Sequence, residues 1–451
     1  MKSPKFFLSN DMKGPTRRAV AILLAYNGRV NPNMLEASRM SRKFGFLAAS
    51  LLVVLLAASV LQAETPQAAP AQKAKPRVIV LGVNGMEWDF VRPLLVRGEM
   101  PNLARLIENG ASGYLKTISS PNCPKVYTAF FTSTTPPENG ITGFVVDGQT
   151  ANTHMLKQEP IWSILTKNEV TVGMANVPAT FPVMPVNGYM VSGMLTRGKD
   201  CEDGVLCSPK LTEVEGGEAV YPAALKQELL ANVGDFYIDC ARIPKLEALA
   251  GHEAASINDW LAKVDTIRAQ QTKLFDYLLT KYPKDFTFLV QSCEDRVGHW
   301  LYPIQPHNVG YNAKVHAARV DAFPNQYRAF DKVLGMVLKH VDENTYVFIV
   351  SDHGIKPLRY SDKHAHMDHP MDSVIAKHDF TDGDEVAGAF IAVGPGIKKN
   401  QHVMGLEVSA YDIAPTLLHL FGIVPPKQMK GRVMTEIFEA TPVQASATAG
   451  K

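Results

Sequence analysis

Apolar positions along the chain form two recurring patterns, and these patterns predict the secondary structure. Short continuous apolar runs rich in β-branched and aromatic residues predict strands that are buried on both faces. Segments with apolar residues three and four positions apart predict helices. The predicted strands are Arg77–Val83, Thr171–Asn176, Asp285–Val290, Val347–Val350 and Ala387–Val393, and the predicted helices are Met86–Val96, Pro101–Asn109, Glu159–Asn168, Ser256–Lys281, Pro324–His340 and Ile413–Phe421. Their alternation predicts an α/β fold with a mostly parallel central sheet.

Polar residues follow three of these strands directly at their carboxyl ends. Asn84 follows the first, Asp295 and His299 follow the third, and Asp352 and His353 follow the fourth. Ligands of open α/β sheets bind just beyond the carboxyl ends of the strands. Asp295 and His299 are four positions apart, so on a helical turn they share one face and can hold one ion. Acids and histidines together suit zinc first, with manganese as the alternative.

Composition and charge limit the classes of function. The chain has 451 residues, 46% apolar and 20% charged, which is enough for one large domain with an insert. The net charge is +2, but residues 1–63 carry nine Lys/Arg against two Asp/Glu, a net of +7 that leaves the remainder at −5. A mildly acidic body does not favour nucleic-acid binding.

The basic leader is typical of an export signal. Arg42-Lys43 precede the apolar run Phe44–Leu61, and Leu61-Gln62-Ala63 is an acceptable cleavage site. The leader over residues 1–63 therefore contains a segment that resembles a signal peptide starting at Met40 or Met34. An uncleaved anchor with membrane association is the alternative, because the apolar run nearly spans a bilayer. Both interpretations predict a periplasmic or extracellular protein, with a linker over residues 64–76 and a flexible tail over 441–451.

One region interrupts the alternation of strands and helices. Residues 196–251 are polar and acidic and predict an insert or cap over the sheet edge, between the parts 77–195 and 252–440 of a catalytic domain. Cys201 and Cys207 flank a short acidic turn within it and are expected to form a disulfide. The sequence offers no partner for Cys240. Cys293 is expected to be a core thiol, with support of the neighbouring metal ligand as the alternative.

The chain resembles the alkaline phosphatase superfamily, in its type I phosphodiesterase/nucleotide pyrophosphatase branch. Seven stretches occur in the family's order between Arg77 and about Met434. They are Val-Ile-Val-Leu-Gly-Val-Asn-Gly, Pro-Asn-Leu-Ala-Arg-Leu-Ile-Glu-Asn-Gly-Ala, Asn-Val-Pro-Ala-Thr-Phe-Pro, Asp-Arg-Val-Gly-His, Ser-Asp-His-Gly, Gly-Pro-Gly-Ile-Lys and Asp-Ile-Ala-Pro-Thr-Leu-Leu. The resemblance implies an α/β/α sandwich that holds two divalent metal ions and hydrolyses phosphate esters, diesters more than monoesters.

Carried across residue by residue, the resemblance implies a first metal site at Asp295 and His299. A third histidine would precede the Gly394-Pro395-Gly396 turn, and His378 is our choice for it. The histidine-rich cluster His364–His369 is the alternative source of this ligand.

The second implied site contains two departures from the family. Asp352 and His353 would hold the metal together with Asn84, where the family has Asp, and with the nucleophile at Cys123, where the family has Thr or Ser. The amide removes one negative charge, so metal binding there should be weaker or altered. Cys123 would be a nucleophile that forms a phosphocysteine, or a ligand beside an attacking metal-bound water. The sulfatase motif that would convert it to formylglycine is absent.

Two neighbours of Cys123 have minor roles in this interpretation. Lys125 would neutralise a substrate phosphate or remain solvated, and Thr128 is a less favoured replacement nucleophile. The expected substrate is a small phosphate ester, a nucleotide or a phospholipid. A phospho- or phosphoethanolamine-type transferase and a non-catalytic, metal-containing binding protein are the alternative functions. The sequence gives no oligomeric state.

Overall fold

The computed structural model describes residues 75–201, 207–214, 217–242, 253–303, 320–357, 376–377, 387–402 and 408–439. The predicted leader, most of the predicted linker and the predicted tail lie outside these residues. Within the described part of the chain, no helix combines the length and apolar character that a bilayer crossing requires.

The described elements follow in chain order. The strands are β1 Arg77–Val83, β2 Ala111–Leu115, β3 Val145–Val146, β4 Gln149–Thr150, β5 Val172–Asn176, β6 Gly188–Gly193, β7 Val220–Tyr221, β8 Phe286–Gln291, β9 Thr345–Val350, β10 Lys356–Pro357, β11 Ala376–Lys377, β12 Gly388–Val393 and β13 Gln401–His402. The helices are α1 Trp88–Val96, α2 Pro101–Glu108, α3 Cys123–Thr132, α4 Pro136–Asn139, α5 Ile161–Lys167, α6 Leu225–Asn232, α7 Glu253–Lys281, α8 Cys293–Leu301, α9 Ala322–Val337 and α10 Ile413–Leu420.

The main sheet has nine strands among the described residues, in the order β13-β2-β12-β9-β1-β8-β5-β6-β7. Its centre, from β9 through β1, β8 and β5 to β6, is parallel throughout. The neighbours β12 and β7 run antiparallel to the strands beside them. The predicted α/β class with a mostly parallel central sheet is therefore confirmed.

Both faces of the sheet are buried, which explains why its strands are continuous apolar runs. Along β1, Val78 and Val80 belong to one buried cluster, and Ile79 and Leu81 belong to the other. The first cluster includes side chains of α3, α5 and α10, and the second includes side chains of α1, α2, α7, α8 and α9. Helices thus cover both faces, and the predicted α/β/α sandwich is confirmed.

The long periodic segments of the sequence predicted their elements well, and strands at or near the two edges of the sheet were missed. β1 begins and ends as predicted, whereas α9 begins at Ala322, two residues before its predicted start. β2 and β6 contain glycine and serine among few apolar residues, so their runs are too weak to predict strands. Residues 217–242, within the predicted cap, add β7 to the sheet and bury Leu225 and Leu229 of α6 in the same cluster as the core.

The cysteines form two disulfides and leave one thiol. Cys201 is bonded to Cys207, as predicted. Cys240 is bonded to Cys293 across 53 positions, so the expectation of a core thiol at Cys293 was wrong. Pairing at that distance depends on the folded chain, and nothing local in the sequence signals it. Cys123 is the free cysteine, and it is buried.

Candidate active site

Parallel pairing brings the predicted ligands to one edge of the sheet. β1 lies between β8 and β9, with Val83 opposite Gln291 and Gly82 opposite Val350. The segments that follow all three strands therefore leave the sheet side by side, because parallel neighbours are only about 5 Å apart. Asn84, Asp295 and Asp352 reach the same edge from strands that are far apart in sequence.

Cys123, Asp352 and His353 form a buried group with the geometry of a metal site. One ligand atom from each lies within 4.8 Å of those of the other two. Nε2 of His353 is 3.1 Å from Oδ2 of Asp352 and 3.8 Å from Sγ of Cys123. All three side chains are at most 1% exposed. Sulfur, carboxylate oxygen and imidazole nitrogen are the donor atoms that zinc takes in proteins, so these residues fit the metal.

The position of Cys123 follows from the start of α3. Asn122 caps the helix by accepting a hydrogen bond from the Lys125 amide at 3.2 Å, and Cys123 is the first helical residue, followed by Pro124. A helix N-terminus favours a thiolate or another anion. In the metal-free protein, burial and then the negative charges of Asp352 and Asp295 outweigh this effect and raise the pKa of the Cys123 thiol well above its usual range.

The acids around His353 change the pKa of its imidazole. Burial would lower the pKa of its imidazole, but Asp352, with a smaller contribution from Asp295, raises this pKa to about 9. Nδ1 of the ring lies 2.9 Å from the Gly354 carbonyl, which leaves Nε2 facing Asp352 and Cys123. Without a metal, a proton on the imidazole supplies the charge that the buried carboxylates need. A divalent cation would meet the same need more completely.

Asn84 contacts Cys123 directly, with its amide nitrogen toward the sulfur. Nδ2 donates to Sγ at 3.2 Å, while Oδ1 accepts a hydrogen bond from the Tyr127 hydroxyl at 2.7 Å. Burial and the charge of Asp352 raise the pKa of Tyr127 well above its usual range, so the phenol stays protonated and donates. A Cβ at Gly82 would lie 2.7 Å from this hydroxyl, which explains the glycine inside β1.

Tyr127 is therefore a site residue that the sequence reasoning missed. Its hydroxyl donates to the Asn84 amide oxygen, in an arrangement in which the amide nitrogen faces the sulfur. Its spacing was the available signal, because residues four apart on a helix share one face and Tyr127 is four positions after Cys123.

Asp295 and His299 lie on α8, as their spacing predicted. Oδ1 of Asp295 and Nε2 of His299 are 3.3 Å apart, and both side chains are buried. Gly85 lies between this pair and the group of Cys123, Asp352 and His353. Its amide donates to Oδ1 of Asp352 at 3.2 Å, and a Cβ added to it would lie 3.1 Å from the Cβ of Asp295. His378 and the cluster His364–His369 lie outside the described residues.

A second layer of hydrogen bonds holds the loops that carry these ligands. Ser351 accepts from the Met86 amide at 2.9 Å and donates to the His353 carbonyl at 2.8 Å, so it ties the loop after β1 to the loop after β9. Thr117 donates to the Asp352 carbonyl at 2.7 Å. Tyr327 of α9 donates to the Gly85 carbonyl at 2.7 Å. Thr117 and Tyr327 could not be predicted as site residues, because each is distant in sequence from the loop that it holds.

The helix that carries Asp295 and His299 is also fixed to residues 217–242. Oδ2 of Asp239 is 2.9 Å from Nη2 of Arg296, and its Oδ1 accepts from Ser292 at 2.7 Å. The Cys240–Cys293 disulfide lies beside these contacts. Both charged groups are nearly completely buried, so the first turn of α8 is held by a covalent bond and a buried ion pair.

The remaining predicted residues lie on α3. Nζ of Lys125 donates to the Ser120 carbonyl at 2.9 Å, on the loop that precedes the helix. Thr128 lies more than one turn beyond Cys123 and is buried. Asn139, on α4, uses its amide locally, donating to the Thr134 carbonyl and accepting from the Ile141 amide, both at 3.0 Å.

Comparison with known protein families finds one whose profile matches most of the chain. The profile of the family described as type I phosphodiesterase/nucleotide pyrophosphatase matches residues 78–411. No curated protein sequence matches the chain. Among solved structures, murine ectonucleotide pyrophosphatase/phosphodiesterase 5, an inactive variant in complex with AMP, is 13% identical with a TM-score of 0.46, covering 78% of this chain and 96% of that one. The human protein of the same name is 14% identical with a TM-score of 0.45, covering 81% and 100%.

Proposed function

The chain belongs to the type I phosphodiesterase/nucleotide pyrophosphatase family, and from that membership we propose that it is an exported, metal-dependent hydrolase of phosphate esters that prefers diesters. The observation that carries the proposal is the buried group of Cys123, Asp352 and His353 at the N-terminus of α3. A potential nucleophile lies there beside ligands for a divalent metal, at the sheet edge where α/β enzymes bind their substrates.

The proposed metals are two divalent ions, zinc first and manganese as the alternative. Asp352, His353 and Cys123 would hold one of them, and Asp295 and His299 would hold the other with His378 as third ligand. When bound, the metals supply positive charge that stabilises the transferring phosphoryl group and favours the thiolate of a ligating cysteine.

The residues of the chain would perform the displacement as follows. Sγ of Cys123 attacks phosphorus, an S–P bond forms, and the P–O bond to one alcohol breaks as that alcohol leaves and takes a proton. Water then cleaves the S–P bond, which releases the phosphate monoester and restores the thiol. The N-terminus of α3 favours the anionic phosphoryl group, and Lys125 on its first turn adds a positive charge. Asn84 donates to the sulfur and steadies its negative charge.

Two disulfides support export to the periplasm or the extracellular space, because disulfides persist in oxidising compartments. Residues 196–251 would act as the cap that selects the alcohol, since Asp239 among them pairs with Arg296, the neighbour of the proposed ligand Asp295. The substrate would be a small-molecule phosphate ester, with nucleotides and phospholipids as the two classes that the family suggests.

A second candidate function has its own supporting observation. Position 84 carries an amide, so it offers no carboxylate to the second metal, and the nitrogen of this amide faces Cys123. A protein that binds a phosphorylated ligand at the metal centre without hydrolysing it would tolerate this change.

The experiment that separates these functions measures bound metal and hydrolysis of bis(p-nitrophenyl) phosphate by the purified mature chain. Cys123→Ala tests the proposed nucleophile, and Asp352→Ala tests the proposed metal ligand. The matched control is Asp265→Ala, which removes an acid from the exposed face of α7. We expect metal in the wild type, and turnover that both site variants abolish and the control keeps.

Other results would change the assignment. A metal-loaded wild type that hydrolyses neither monoesters nor diesters would exclude the enzyme and leave the binding protein. Activity that survives Cys123→Ala but not Asp352→Ala would exclude the cysteine as nucleophile and favour direct attack by water.

A further inference from the structure

Asn176, the last residue of β5, is buried and has no hydrogen-bond partner for its side chain. It is 5% exposed, and neither Oδ1 nor Nδ2 of its amide is paired with another described group. A buried amide normally pairs both atoms, because leaving them without partners costs free energy. Asn139 shows how a buried asparagine is paired when its role is structural, because both of its amide atoms form hydrogen bonds within a turn.

The sheet places Asn176 between the strand that leads to Asp295 and His299 and the strand that leads to the predicted cap. β5 pairs with β8, Ala175 opposite Leu289, so Asn176 reaches the carboxyl edge beside the strand that leads to Asp295 and His299. On its other side β6 ends at Gly193, from which the chain enters residues 196–251. The part of a phosphate ester that extends from the metal centre toward the cap would pass this position.

The backbone at Asn176 also departs from a regular strand. Met174 and Val177 belong to one buried cluster and Ala175 to the other, although residues three apart in a regular strand face opposite sides. The alternation of sides is broken at Asn176, where φ is +61° and the backbone is left-handed. The pairing register with β6 also shifts there. The regular alternation of side chains along β5 therefore ends at Asn176, the last residue of the strand.

We propose that Asn176 binds the alcohol portion of the substrate, donating with Nδ2 and accepting with Oδ1. The inference rests on the proposed function and makes its substrate class more specific. A side chain with one free donor group and one free acceptor matches an alcohol that also carries both, such as a hydroxylated sugar or a nucleobase, and does not match a plain aryl or alkyl group.

The test compares two diesters with the same leaving group. Wild type and Asn176→Gly are assayed on p-nitrophenyl thymidine 5′-phosphate and on bis(p-nitrophenyl) phosphate, and glycine keeps the left-handed backbone while removing the amide. We expect KM for the thymidine ester to rise about tenfold, as for one or two lost hydrogen bonds, with KM for the aryl ester unchanged. Tm should not fall, because an unpaired buried group is removed.

A binding measurement keeps this inference separate from the proposed function. Calorimetry measures the affinity of wild type and Asn176→Gly for thymidine 5′-phosphate and for phenyl phosphate. The variant should bind the nucleotide about tenfold more weakly than wild type does and should bind phenyl phosphate equally well. Glu169→Gly, which replaces another left-handed residue at an exposed site, should change neither affinity. If wild type hydrolyses neither ester, the proposed function fails and the calorimetry still decides. Unchanged nucleotide affinity, or equal losses for both ligands, would overturn the role of Asn176.

Discussion

At the residue scale, the two positions that we expect to differ from the family, Asn84 and Cys123, contact each other. A carboxylate beside a thiolate would place two negative charges next to each other, whereas an amide nitrogen donates a hydrogen bond to the sulfur at 3.2 Å. Tyr127 completes this arrangement by donating to the amide oxygen. The two departures therefore form one compatible pair: a sulfur acceptor with an amide donor.

Asn84→Asp tests this pairing. The variant keeps an acceptor for Tyr127 but adds a negative charge near Asp352 and Asp295, so without metal we expect a lower Tm. With zinc the new carboxylate becomes a ligand, so the zinc-induced rise in Tm should exceed that of wild type. Calorimetry with and without zinc measures both effects.

The matched control for that experiment is Asn139→Asp. Asn139 is equally buried but donates its amide hydrogen to a turn, so its variant should lose Tm by the same amount with and without zinc. If Asn84→Asp behaved in the same zinc-independent way, Asn84 would not face the bound metal.

Much of the residue-scale site could be predicted from the sequence. Cys123, Asp352 and His353 converge because motif order and parallel strands determine which residues share the sheet edge. The orientation of the Asn84 amide could not be predicted, because it depends on Tyr127 and on the space left by Gly82. Asn176 was part of a recognised motif without a role, since an unpaired amide is visible only in the folded chain.

At the element scale, α8 depends on residues 217–242 for its position. The helix is short, and its first turn is held by the Cys240–Cys293 bond and by Asp239, which contacts both Ser292 and Arg296. Arg296 lies between Asp295 and His299 in sequence, so a shift of its side chain would tilt the ligand-bearing turn. Fixing that turn pre-organises the pair for a metal ion.

We expect Arg296→Met to destabilise the protein by about 3–5 kcal/mol, because Asp239 would remain buried without its charged partner. Urea unfolding measures this loss. The double variant with Asp239→Asn should recover part of it, since the unpaired charge is then removed. A loss below about 1 kcal/mol for Arg296→Met would show that the ion pair does not hold α8.

The elements divide into those that the sequence specifies and those that the fold specifies. β1, β8 and β9 were predicted because strands buried on both faces are continuous apolar runs. β2, β6 and β7 were missed because edge and near-edge strands depend on their neighbours for pairing rather than on an apolar run of their own.

At the scale of the whole molecule, the proposed metal centre connects parts of the chain that are distant in sequence. Its ligands follow β1, β8 and β9 and begin α3, and Gly85 contacts both halves of the site. Buried carboxylates from separate strands repel one another unless a cation lies between them. Metal binding should therefore stabilise the entire fold.

Removing divalent metal is accordingly expected to lower the Tm of the wild type. A ligand at a hundred times its Kd adds about 2.7 kcal/mol to folding stability, which corresponds to roughly 3 °C for a domain of this size. Calorimetry in a chelator and then in excess zinc measures the difference. Asp352→Ala should lose most of this response, because it removes a ligand and a buried charge together, whereas the exposed Asp265→Ala should keep it. A wild-type Tm that is the same in chelator and in zinc would contradict a metal centre at this sheet edge, whatever the protein hydrolyses.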